Sequence, residues 1–129
     1  MKYKKPKISI IVNCYNGEKF IKESIESILK QSYKNWELIF WDNQSRDKSK
    51  KIFKSFKDKR LKYYYSKKHT SLYKARNLAL SKSKGEFISF LDTDDLWTRD
   101  KLKKQISYIK EKNIGLVYSN FWLLKDNLK

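Results

Sequence analysis

Short apolar runs alternate along the chain with segments whose apolar residues recur at helical spacing. The runs at 8–12, 36–41, 61–65, 87–91 and 116–121 are nearly continuous, which is typical of strands that are buried on both faces. Between them, apolar positions three or four residues apart predict helices over about 18–29, around 52–56, and over about 72–82 and 99–112. The order is therefore strand, helix, strand, repeated to a fifth strand.

This alternation predicts one α/β domain over residues 1–129, with a Rossmann-like, mostly parallel sheet flanked by helices. In open sheets of this kind, ligands bind outside the carboxyl ends of the strands. Three polar loops follow strands, at 13–17, 42–45 and 92–95. We expect these loops to surround one crevice.

The large net charge says less about binding partners than its size suggests. The net charge is +17, but only four of the 31 basic residues are arginines. A protein that reads nucleic acid would be expected to use more arginine for bidentate contacts, so we expect no nucleic-acid partner. The lysine-rich segment 48–62 is predicted to face solvent, and peripheral binding to an anionic membrane stays open as a second role for it.

The chain carries few signals of export or anchoring. The single cysteine, Cys14, excludes an internal disulfide and a cysteine-based zinc site. No apolar run approaches the ~20 residues of a membrane span, and the first run is too short for a signal peptide. We expect a cytoplasmic chain, at most peripheral at the inner face of the membrane.

Three carboxylates follow the fourth apolar run. The stretch Phe87–Asp95 (FISFLDTDD) places Asp92, Asp94 and Asp95 where the strand ends. Like charges this close repel unless a cation lies among them. Mg²⁺ and Mn²⁺ prefer carboxylate oxygens, and Mg²⁺ usually takes one or two of them and fills its other positions with water and phosphate. An acidic turn that caps a helix is the structural alternative.

Other side chains at the predicted crevice suit a nucleotide diphosphate. The usual glycine-rich phosphate loops are absent, since the chain has only three glycines. Tyr15 offers a face for stacking on a base, Asn43 offers an amide for a base edge, and Arg76 offers a cation for a diphosphate. His69, the only histidine, is expected to be an ordinary surface residue.

Five stretches together carry a family resemblance. Ile8–Gly17, Ser27–Tyr33, Trp41–Asp47, Ala75–Asn77 and Gly85–Asp95 are similar, in order and spacing, to the successive motifs of family 2 glycosyltransferases with the GT-A fold. Each motif is weak alone, and five in sequence are specific. The resemblance runs from Lys7 to about Asn120.

The resemblance implies an inverting sugar transfer from a nucleotide-diphosphate sugar, with Mg²⁺ or Mn²⁺, to a saccharide or lipid-linked acceptor in cell-surface polysaccharide synthesis. It implies Asp94 as the metal ligand and Asp92 as a contact of the ribose or of the metal's waters. Asn13, Tyr15 and Asn43 match positions that contact the nucleoside. Asn43 stands where the family usually has Asp, which makes the expected UDP- or dTDP-sugar preference less specific.

The family's acceptor site and catalytic base lie after the fifth strand. We therefore expect the base beyond Lys129, and we expect this chain to be the donor-binding half, truncated before the acceptor-binding half and weakly active alone. Two other functions stay open. One is a phosphatase of the haloacid-dehalogenase type with Asp92 as nucleophile, although that motif normally opens its domain. The other is a basic nucleotide- or anion-binding module without chemistry.

Overall fold

A computed structural model describes residues 7–112 and 114–125, with the side chains of 110–112 outside the description. Four strands and four helices alternate: β1 (Ile8–Cys14), α1 (Ile21–Leu29), β2 (Trp36–Asp42), α2 (Ser49–Ser55), β3 (Leu61–Tyr65), α3 (Leu72–Leu80), β4 (Phe87–Phe90) and α4 (Lys101–Lys112). The strands form one parallel sheet in the order β3-β2-β1-β4. The predicted α/β class and parallel sheet are confirmed.

Both faces of the central strands are buried, which is why β1 and β2 are nearly continuous apolar runs. On one face, Ile10 and Phe40 pack with residues of α1, α2 and α4. On the other face, Ile11 and Ile39 pack with the small residues of α3. Cys14 is a buried free cysteine at the end of β1.

The predicted fifth strand is wrong. Residues 114–125 contain no strand, and Leu116, Tyr118 and Phe121 are 79–88% exposed. An apolar run becomes a strand only where it finds a strand edge to pair with and a core to cover. Within the described residues, β4 is an edge strand of the sheet, but segment 114–125 neither pairs with it nor covers a core.

Strand register brings the carboxyl ends of β1, β2 and β3 to one level, whereas β4 ends three residues earlier along β1. Cys14 is paired with Asp42, and Asp42 with Tyr65. On the other side of β1, Ile11 is paired with Phe90, the last residue of β4. The loops after all four strands therefore leave the sheet at the same edge.

In the described part of the chain, no helix has the length and apolar character needed to cross a membrane.

Candidate functional site

Backbone hydrogen bonds tie the strand-end loops together. The amide of Asn43 donates to the carbonyl of Cys14 at 2.8 Å, and the amide of Ser66 donates to the carbonyl of Asp42 at 2.8 Å. The amide of Asn16 donates to Oγ of Ser45 at 2.9 Å. These bonds fix the loops after β1, β2 and β3 relative to one another.

A cavity of about 280 Å³ opens between these loops. Three of its lining residues were predicted from the sequence: Asn13, Tyr15 and Asn43. Four more come from the loop before α3 and from the first residue of that helix: His69, Thr70, Ser71 and Leu72. Tyr15 is 53% exposed, so its ring is accessible for stacking. The ring of His69 lies 4.4 Å from that of Tyr15, between centroids, at an interplanar angle of 59°.

The side chain of Asn43 is engaged inside the protein. Its Oδ1 accepts from the amide of Thr70 at 3.0 Å and from Oγ1 of Thr70 at 3.3 Å. Its Nδ2 donates to the carbonyl of Thr70 at 2.7 Å. A carbonyl can only accept and an amide N–H only donate, so this pattern fixes which amide atom of Asn43 is oxygen. Asn43, which was predicted to contact a base edge, therefore also holds the 66–71 loop in place through its hydrogen bonds to Thr70.

A buried carboxylate supports the loop after β2. Asp42 is fully buried, and it accepts from the hydroxyl of Tyr63 at 2.6 Å and from the amide of Ser45 at 2.7 Å. Burial raises the pKa of Tyr63 well above its usual range, and the hydrogen bond to Asp42 raises it further. Tyr63 is therefore a hydroxyl donor to Asp42 at neutral pH.

The acid motif lies beside the loop after β1. A Cβ placed on Gly17 would lie 3.5 Å from Cβ of Thr93, 3.0 Å from Sγ of Cys14 and 2.7 Å from Cγ2 of Ile21. The absence of a side chain at Gly17 therefore lets the loops after β1 and β4 come together. Oγ of Ser24, on α1, donates to the carbonyl of Asp95 at 2.9 Å, which holds the acid turn against the first helix.

The three acids have different surroundings. Asp92 forms an ion pair with Arg76, with Nη2 of Arg76 at 2.8 Å from Oδ1 of Asp92. Asp94 is exposed. Burial raises the pKa of the Asp95 carboxyl, and the charges of Asp94 and Asp92 raise it further. A cation at this turn would relieve that repulsion.

The donor set suits a metal that arrives with phosphate. Within residues 7–112 and 114–125, no group of three or more His, Cys, Asp or Glu side chains is placed to enclose a metal ion. Mg²⁺ needs no such cage, because nucleotide sites supply one or two carboxylates and the phosphates supply the rest. Exposed Asp94 beside Asp92 fits that chemistry.

The structure thus gathers the predicted residues into two neighbouring groups. Asn13, Tyr15 and Asn43 line the cavity, and Asp92 is joined to Arg76, which follows the cavity residue Ala75 on α3. Asp94 is not among the lining residues of the cavity. A larger cavity of about 450 Å³ lies beside α1 and contains none of the predicted site residues.

Sequence reasoning missed the contribution of the 66–71 loop. His69 is exposed, as expected, but it also lines the cavity and contacts Tyr15. A signal for it existed, since this loop follows β3, and the rule that selects strand-end loops applies to it as it does to the other three. The lysines of segment 48–62 are exposed and lie outside the cavity lining, as predicted.

Comparison with known proteins shows the family to which the chain belongs. The family model described as glycosyl transferase family 2 matches residues 9–127. The chain is 41% identical over 120 residues to the E. coli UDP-Glc:alpha-D-GlcNAc-diphosphoundecaprenol beta-1,3-glucosyltransferase WfgD, covering 93% of this chain and 47% of WfgD. It is 33% identical over 122 residues to the putative teichuronic acid biosynthesis glycosyltransferase TuaG of Bacillus subtilis, covering 93% of this chain and 48% of TuaG.

Solved structures show the same fold. S. aureus TarS in complex with UDP-GlcNAc superposes with a TM-score of 0.79 at 33% identity, over 83% of this chain and 32% of that one. The mannosyltransferase PcManGT from Pyrobaculum calidifontis, in complex with GDP-Man and Mn²⁺, gives a TM-score of 0.77 at 26% identity, over 88% of this chain and 35% of that one. The chain spans about half the length of the curated relatives that it matches. It belongs to glycosyl transferase family 2 and has the GT-A fold.

Proposed function

We propose that this chain is the donor-binding half of a glycosyltransferase that moves a sugar from a nucleotide-diphosphate sugar to a saccharide or lipid-linked acceptor in cell-surface polysaccharide synthesis. One observation carries the proposal: two features lie at the same edge of the sheet. The first is a 280 Å³ cavity lined by an exposed aromatic ring, and the second is an acid turn that forms an ion pair with an arginine. A nucleoside diphosphate needs these three chemistries: a stacking face, a cation and a metal-binding carboxylate. The relatives named above support it.

The diphosphate end would lie at the acid turn. Asp94, with Asp92 beside it, would hold Mg²⁺ or Mn²⁺, which when bound neutralises charge on the diphosphate leaving group. Arg76 holds Asp92 in place through its ion pair and offers remaining guanidinium donors to phosphate oxygens. Both roles follow from the chemistry of the side chains and the 2.8 Å contact between them.

The nucleoside end would lie in the cavity. Tyr15 presents its ring for stacking on the base. Asn13, in the cavity wall, has a buried Nδ2 without a hydrogen-bond partner among the described residues, which suits a carbonyl or ribose oxygen of the ligand. Asn43 holds the 66–71 loop, and one hydrogen of its Nδ2 stays available to a base carbonyl. A UDP- or dTDP-sugar is the proposed donor.

The proposal gives the class of acceptor and does not assign the residue that would activate it. We assign no catalytic base within the 129 residues, and a base contributes about 10²–10⁴-fold to such a transfer. We therefore expect the chain alone to bind donor and to transfer sugar very slowly.

The exposed lysines of segment 48–62 fit peripheral binding to an anionic membrane, where each lysine near the surface contributes roughly 1 kcal/mol. They are Lys48, Lys50, Lys51, Lys54, Lys57, Lys59 and Lys62. Co-sedimentation with vesicles that contain phosphatidylglycerol, but not with neutral vesicles, is the expected result. Equal sedimentation with both would contradict the membrane role.

A panel of nucleotide diphosphates tests the donor role directly. UDP, dTDP, GDP, ADP and CDP are each added with and without Mn²⁺, and the melting temperature is recorded. A ligand at 100 times its Kd stabilises the folded state by about 2.7 kcal/mol, which shifts the melting temperature measurably. We expect UDP or dTDP to give the largest shift, and only with Mn²⁺. No shift with any of the five, with or without metal, would contradict the proposal.

A further inference from the structure

The hydrogen bonds around Asn43 and His69 bear on how a nucleobase would be recognised in the cavity. Resting on the proposed function above, we propose that the free imidazole nitrogen of His69 accepts a hydrogen bond from the ring N–H of the donor's base. This selects uracil or thymine, whose N3–H stands between two carbonyl groups. Asn43, at the position where a base-reading side chain was expected, then acts as a positioning residue.

The first step is that the acceptor atoms of Asn43 are engaged within the protein. Its Oδ1 accepts from the amide of Thr70 at 3.0 Å and lies 3.3 Å from the hydroxyl of Thr70, whose single hydrogen is shared with the carbonyl of Ser71, also at 3.3 Å. Its main-chain carbonyl accepts from Nδ1 of His69 at 2.9 Å. A base N–H at Asn43 would therefore compete with the hydrogen bonds that hold the loop.

The second step fixes the proton on His69. The partner of Nδ1 is a carbonyl oxygen, which can only accept, so Nδ1 must carry the hydrogen. In the neutral ring, Nε2 is then a hydrogen-bond acceptor. Within residues 7–112 and 114–125, Nε2 has no hydrogen-bond partner.

The third step is position. His69 lines the same cavity as Tyr15, and the two rings are in contact at 4.4 Å. A base that stacks on the exposed ring of Tyr15 is therefore held next to the imidazole. The unpartnered Nδ2 of Asn13 lies in the wall of this cavity, so an acceptor on His69 and a donor on Asn13 both border it. That pair matches an N–H next to a carbonyl.

The test removes the proposed hydrogen bond from each side separately. Dissociation constants for UDP and for N3-methyl-UDP, which lacks the N3–H, are measured with Mn²⁺ by calorimetry. The proteins are the full chain, His69→Phe, His69→Gln and Lys68→Gln. Phe keeps a ring against Tyr15 without an acceptor, and Gln restores an acceptor. Lys68 is exposed, lies in the same loop and does not line the cavity, so Lys68→Gln is the control.

The readout is the ratio of the two dissociation constants, because general changes in affinity cancel in it. We expect N3-methylation to weaken binding about tenfold in the unmodified chain and in Lys68→Gln, as for loss of one ligand hydrogen bond. We expect a markedly smaller ratio in His69→Phe and partial recovery in His69→Gln. A ratio near one in the unmodified chain, or an undiminished ratio in His69→Phe, would overturn the assignment and leave donor binding intact. Absence of UDP binding by the unmodified chain would overturn the donor role as well.

Discussion

Replacing Gly85 by alanine should strongly destabilise the fold, because β4 enters the sheet through this residue. A Cβ there would lie 2.5 Å from the backbone nitrogen of Ser9, and 2.8 Å from both the carbonyl carbon of Ile8 and Oγ of Ser9. Two of these three atoms are backbone atoms of β1, which is paired on its other side with β2. They cannot move aside, so β4 must.

Moving β4 breaks a buried polar cluster. The amide of Gly85 donates to Oγ of Ser9 at 2.8 Å, and the amide of Lys84 donates to Oε1 of Glu37 at 2.7 Å. Ser9 and Glu37 are both buried. Overpacking a core typically costs 1–3 kcal/mol, and loss of a buried hydrogen bond adds about 1 kcal/mol. We therefore expect a loss of about 2–4 kcal/mol in the free energy of unfolding.

Urea denaturation measures this loss, and Gly115 provides the matched control. A Cβ on Gly115 meets nothing within 4 Å, and neither glycine has a positive φ. Gly115→Ala should change the free energy of unfolding by less than about 0.5 kcal/mol. If the two variants unfold within 0.5 kcal/mol of each other, the close approach of Gly85 to β1 is not as described.

Two further predictions concern buried groups near the site and on α4. Tyr63→Phe should lower the free energy of unfolding by about 2 kcal/mol, because the buried Asp42 loses a hydrogen-bond donor at 2.6 Å. Tyr64→Phe, on the same strand, is the control and should lower it little. Equal losses in urea denaturation would refute this role of the Tyr63 hydroxyl. Burial lowers the pKa of Lys101 from 10.5 to about 8. Between pH 8 and 10.5, Lys101 is therefore protonated in the unfolded chain but not in the folded one, and its contribution makes the free energy of unfolding rise with pH. Lys101→Met should raise stability at pH 7 and remove that rise, whereas Lys104→Met, at an exposed position, should keep it; the same pH profile in both variants would contradict the burial of Lys101.

The strands were predictable because their physical cause is local. Four short apolar runs become β1 to β4, with ends within two residues of the prediction. The central strands β1 and β2 are buried on both faces and are therefore nearly all apolar, whereas β3 and β4 are partly exposed edge strands. The fifth run, at 116–121, has the same composition but remains exposed. Whether a run pairs depends on the presence of a neighbouring strand edge, and the residues of the run alone do not predict it.

The candidate site was predictable in position more than in detail. Tyr15 and Asn43 could be placed because each follows a strand of a parallel sheet. The clamp between Asn43 and Thr70 joins residues 27 positions apart, and the ion pair of Arg76 with Asp92 joins residues 16 apart. Sequence spacing gives no information about such pairs, because they depend on how α3 and the 66–71 loop pack against the sheet.

The central claim is that the acid turn binds a metal together with a nucleotide diphosphate. Calorimetric titration of UDP, with and without Mn²⁺, into the unmodified chain, Asp94→Ala and Glu86→Ala tests it most directly. Glu86 directly precedes the opposite end of β4 and is exposed, so its variant makes the same charge change away from the site. We expect UDP binding that requires Mn²⁺, survives in Glu86→Ala and falls at least about tenfold in Asp94→Ala, as for loss of an interaction with a charged group. UDP binding that is equal with and without Mn²⁺, or equal in the two variants, would contradict the account.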